Sequence, residues 1–188
     1  MKKQTLKKLF YAITASVLIF NIQACKENEP EPDKPPVNEN ELITTVQLIF
    51  TDSADNSVSS FLFKDPDGDG GNNPTVFDTI LLKSDRTYFT QILLLDESKT
   101  KTDTISNEVL EEAEDHLFVF TPSWNGLNIR LTDLDSKGLP LGLLSTWKTG
   151  ISGNGSVKVA LKHQPGLKDG SPAPGETDVE IDFICRIE

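Results

Sequence analysis

Two parts of the sequence bring together side chains that could do chemistry. The first is DPDGDGGNNP, residues 65–74. Asp65, Asp67 and Asp69 alternate and Gly70 follows. A calcium-binding loop opens this way, because converging carboxylates surround a hard cation and glycine permits the sharp turn. Asn73 could add an amide oxygen, and Asp78 a further carboxylate. The twelfth position of such a loop is Val76 rather than Glu, so the usual bidentate ligand is missing. No helical pattern flanks the stretch. Asp, Gly, Asn and Pro also favour turns, so a polar connection between strands accounts for the same residues without calcium.

The second constellation is dispersed. The chain has two histidines, His116 and His163. His116 ends the acidic run EEAEDH. Glu112 stands four residues before it, so on a helix the two share a face. His163 ends an alternating segment, in the column of Val157, Val159 and Leu161. Imidazole and carboxylate suit zinc, iron or copper. If these segments meet, Glu112, His116 and His163 form a three-ligand transition-metal site. If they do not, they are an exposed acidic helix face and a strand-end histidine that caps a turn.

Patterns for catalysis are thin. There is no Gly-x-Ser-x-Gly, no phosphate-cradling loop and no His-Glu-x-x-His. Acid pairs are too abundant for any one to be singled out as a hydrolase pair. Trp124 and Trp147 could stack sugars if exposed, but such residues more often pack inside. The expectation is a binding protein rather than an enzyme. A surface hydrolase is the weakest alternative.

The elements that must position these residues are short strands. Val46, Leu48 and Phe50 alternate with Thr45 and Gln47. Further runs include Phe61 and Phe63, Thr75 to Leu82, Thr87 to Leu95, Leu117 to Phe120, Leu127 to Leu131, Leu143 to Lys148 and Val157 to Leu161. The last is the clearest. Val179, Ile181, Phe183, Cys185 and Ile187 share one face, with Asp178, Glu180, Asp182 and Arg186 on the other. Cys185 therefore reads as a small buried hydrophobe. SNEVLEEAEDH, residues 106–116, breaks the rhythm with helix formers. Ser106 or Asn107 is placed to cap it, and Leu110, Ala113 and Leu117 fall on one helical face. Residues 41–188 thus predict an all-β domain: an antiparallel, immunoglobulin-like β-sandwich with one short helix.

Residues 1–24 read as an export signal. Lys2, Lys3, Lys7 and Lys8 precede the uncharged run Leu9 to Phe20, which is too short for a relaxed membrane span. Ile22-Gln23-Ala24-Cys25 resembles a bacterial lipobox, although Gln23 stands where a small or aliphatic residue is usual. The resemblance implies cleavage before Cys25 and acylation of its thiol. Residues 25–40 then form a lipidated, acidic, proline-rich tether. Loss of the four lysines leaves 14 basic against 29 acidic residues, a net charge of −15. That charge argues against a nucleic-acid partner.

Lys26-Glu27-Asn28-Glu29 resembles the short export signal of Bacteroidota-type surface lipoproteins. The order of lipobox, tether, FKDPDGDGG, the Glu-rich segment, His163-Gln164-Pro165-Gly166 and the final strand resembles a group of small, uncharacterised lipoproteins of that type. This resemblance implies an outer-membrane setting, with the cell surface favoured over the periplasmic face, and a TonB-dependent receptor as a partner. It implies no activity. The function expected is a binding or receptor-accessory module on a lipid anchor, with transition-metal capture as the alternative.

Overall fold

The computed structural model describes residues 42–68 and 71–188. Cys25, the tether and Asp69 lie outside the described residues. In chain order the elements are β1 (Thr45–Asp52), β2 (Val58–Lys64), β3 (Val76–Phe77), β4 (Ile80–Leu82) and β5 (Thr87–Leu95). They are followed by α1 (Ile105–Glu111), β6 (His116–Pro122), β7 (Leu127–Leu131), β8 (Leu144–Thr149), β9 (Gly153–His163) and β10 (Glu176–Ile187).

The strands form two packed sheets, the all-β sandwich with one short helix that the alternation predicts. One sheet has six strands in the order β3-β2-β1-β5-β8-β7, and the other has four in the order β4-β10-β9-β6. All pairs are antiparallel except β4 with β10. The core follows from the period of two. Val46, Leu48 and Phe50 of β1 and Val157, Val159 and Leu161 of β9 are buried. So are Ile181, Phe183, Cys185 and Ile187 of β10. Phe50 meets Trp147 edge-on, with ring centroids 5.0 Å apart. Trp147 is fully buried, so it offers no sugar-stacking face, and Trp124 is partly buried against the core. Burial pushes the Cys185 thiol up to about 12, which keeps it unreactive.

Three local expectations are corrected. The apolar run from Thr75 to Leu82 is two strands in different sheets, not one. The chain changes sheet at Asp78, whose N–H donates to the Leu62 carbonyl at 2.8 Å while its Oδ2 accepts the Leu62 N–H at 2.9 Å. The helix begins earlier than its capping residues predict. Thr104 is its N-cap, with no side-chain cap bond. Ser106 instead lies inside it and accepts the Leu94 N–H at 2.5 Å, pinning the helix to β5. The buried helical face is Ile105, Ser106 and Val109, and Leu110 is exposed. Among the described residues no helix is long and apolar enough to cross a membrane.

Candidate metal centre

The short helix ends before it reaches His116. Glu112 is the C-cap, and its N–H donates to the Glu108 carbonyl at 2.8 Å. The Asp115 N–H then donates to the Glu112 carbonyl at 2.9 Å, which turns the chain into β6. Glu112 and His116 therefore meet through a turn and not on a helical face. His116 is the first residue of β6 and is 4% exposed.

Strand register brings the second histidine. β6 and β9 are antiparallel, with His116 directly opposite His163. The two imidazoles stack with centroids 4.8 Å apart and planes within 7°. One ligand atom from each of Glu112, His116 and His163 lies within 4.8 Å of the other two. The sequence candidates thus converge at one end of the four-stranded sheet.

The geometry can be tested against a metal. Zinc takes nitrogen and oxygen ligands at about 2.0–2.2 Å, so neighbouring ligands of a tetrahedral ion stand about 3.4 Å apart. At its widest the trio must close by about 1.4 Å to reach that spacing. Glu112 is exposed, so reorienting its side chain disturbs no core packing. The electrostatics suit the same role. Burial lowers the pKa of His116 below its ordinary value, and the facing His163 ring lowers it further, against the raising effects of the Glu112 carbonyl and Asp178. The neutral imidazole is the form that binds metals.

The turn that carries Glu112 is anchored from below. Lys168 and Asp135 form an ion pair at 2.8 Å, with side chains 2% and 0% exposed. The same ammonium donates to the Ala113 carbonyl at 2.7 Å. Burial works to raise the Asp135 carboxyl. The Lys168 ammonium and the N–H groups of Leu139 and Lys137 outweigh it and hold the group below its usual range. The Gln164 N–H donates to the Asp115 carbonyl at 2.6 Å, tying the end of β9 to the same turn. Asp135 thus holds the lysine that braces the turn after Glu112, as well as starting the expected turn. The Gly138 N–H closes that turn on the Asp135 carbonyl at 3.0 Å.

The acidic loop behaves differently. Asp65 is buried, and its N–H donates to the Thr44 carbonyl at 2.8 Å. Asp67 is exposed. Its Oδ2 accepts the Asn72 N–H at 2.9 Å and the Asn72 side-chain amide at 2.7 Å. These bonds, with a smaller contribution from the Asp65 side chain, hold the Asp67 carboxyl below its ordinary range. Gly68 turns the loop at φ 76°. The amide that reaches Asp67 is Asn72, not Asn73. Asp78 is engaged with Leu62, and Asp69 lies outside the described residues. Among the described residues, Glu112, His116 and His163 are the group of three His, Cys or acidic side chains spaced for a metal.

One neighbour was hidden from the sequence. Asp178 Oδ2 is 4.0 Å from His116 Nε2, and the Asp178 side chain is 7% exposed. Strict alternation sets Asp178 outward with Glu180 and Asp182. The register of β10 against β9 slips between Thr177 and Val179, leaving Asp178 as the extra residue. A bulge of this kind re-aims one side chain without altering the rest of the strand. The alternation itself carries no mark of it.

No family model, curated protein or solved structure matches this chain.

Proposed function

We propose that this protein captures a transition-metal ion, through Glu112, His116 and His163, while held at the outer membrane by lipid on Cys25. The observation that carries the reading is the convergence of those three side chains from a helix cap and two paired strand ends. Two histidines and a carboxylate are a donor set for zinc or iron(II). Capture is a binding function and gives chemical content to the expected binding module. A neighbouring TonB-dependent receptor is the partner to which captured metal would pass. No catalytic step is needed.

The test is elemental analysis and zinc calorimetry on the full chain in detergent. About one ion per chain is expected, with binding abolished in the His116→Ala, His163→Ala double variant. Metal-free protein that takes up no zinc would end the reading.

A further inference from the structure

Two imidazoles and an exposed carboxylate leave open which nitrogen of His116 faces the ion and what else holds it. We infer that His116 coordinates through Nε2 and that Asp178, delivered by the bulge in β10, is a further ligand of the same ion. The inference rests on the metal-capture reading above.

His116 Nδ1 is 3.1 Å from the Glu112 carbonyl oxygen. A carbonyl can only accept, so in the neutral ring Nδ1 carries the hydrogen and Nε2 the lone pair. A backbone carbonyl that fixes the tautomer in this way is common behind metal-bound histidines. The lone pair is therefore on the nitrogen nearest Asp178.

The spacing leaves room for an ion between the two groups. At 4.0 Å, Nε2 and Oδ2 are too far apart for a hydrogen bond. Two ligands of one ion stand about 3.4 Å apart at the tetrahedral angle and wider at larger angles. Small side-chain movements bring the observed separation into that range.

Burial points the same way. Both side chains are less than a tenth exposed. A carboxylate shielded from water beside a neutral imidazole is a strong electrostatic partner for a cation placed between them. Asp178 also lines a cleft of about 530 Å³, together with Asp65, Phe63 and Ile181. Adding Asp178 makes the donor set two imidazoles and two carboxylates. That set suits zinc, iron(II) or manganese better than copper(I), which prefers sulfur.

The test uses the full chain in detergent, with zinc affinity by chelator competition and the visible spectrum of the cobalt(II) form. Asp178→Asn is expected to weaken zinc by at least the roughly 10–100-fold that loss of an outer-shell partner costs. Asp178→Glu is expected to keep binding but shift the cobalt bands, because the longer side chain alters the coordination geometry. Wild-type affinity in Asp178→Asn with unchanged bands in Asp178→Glu would overturn the inference, while loss of binding in the double-histidine variant would leave the capture reading standing. If Asp178→Asn does not fold, the Asp178→Glu bands decide. A wild-type chain that binds no zinc overturns both.

Discussion

The acidic loop and the histidine end both offer carboxylates to a cation, and they are built in opposite ways. The loop takes its candidates from one local run, and that run spends them on itself. Asp67 accepts two bonds from Asn72, and Asp78 closes a pair of bonds with Leu62. The histidine end draws on a helix cap, two strand ends and a bulge. Its rings are set by strand register, and its supporting turn is held by a buried ion pair. A motif compact in sequence has many ways to satisfy its own polar groups. In a constellation gathered from distant segments the fold sets the paired histidines before any ligand arrives, and only the exposed Glu112 need swing in. Preorganisation of that kind lets a site bind a metal instead of folding around one.

The sharpest way to break this contrast is to exchange the damage. The double-histidine variant is expected to lose zinc binding altogether, while Asp67→Asn keeps wild-type affinity. Calorimetry on the two variants checks this, and a matching loss in both would erase the distinction.

A smaller effect is expected at the support. Lys168→Met leaves the Asp135 carboxylate buried without its ammonium, a change that costs about 3 kcal/mol. It also frees the Ala113 carbonyl, so zinc affinity should fall together with stability. Chemical denaturation and zinc competition on one preparation would measure both. Stability lost with zinc affinity unchanged would show that the turn does not need its anchor.

Acid should separate the regions by pH. The neutral form of His116 is the folded one, since its pKa is lowered from an ordinary 6.5. Its contribution is therefore present above pH 6.5 and lost as the pH falls through the lower folded value. Asp67 is lowered from 3.8, so its contribution persists above that value and is lost only in stronger acid. Melting curves of the metal-free chain against pH should show the first loss, and His116→Gln should remove it while leaving the second. A first loss that survives in His116→Gln would belong to another group.

The smallest effect is expected from calcium. The described part of the loop is held by its own hydrogen bonds, so a calcium chelator should leave the melting temperature unchanged. Asp67→Asn should lower it slightly in either buffer. A chelator-dependent drop that Asp67→Asn abolishes would restore calcium to the loop.

Much of this was legible in the sequence, and the rest was hidden for physical reasons. Alternation in β1, β5, β9 and β10 is strong because each strand buries one face, so it announced both strands and core. The residues of the histidine site could be named because histidine is scarce here and Glu112 is near His116. Their meeting could not be read, because pairing between β6 and β9 is long-range and no local pattern states its register. The helix is capped two or three residues before the expected position because Ser106, a good cap by type, is used to hold β5. Alternation puts Asp178 on the wrong face because a bulge changes one residue and leaves the pattern on either side intact.

The most direct measurement is anomalous scattering from crystals of the protein grown with zinc. The predicted result is one strong peak about 2.0–2.1 Å from His116 Nε2, bordered by His163 and at least one carboxylate. A peak at Asp65 and Asp67 with none beside the histidines, or no peak at all, would contradict the assignment of metal capture to the paired strand ends.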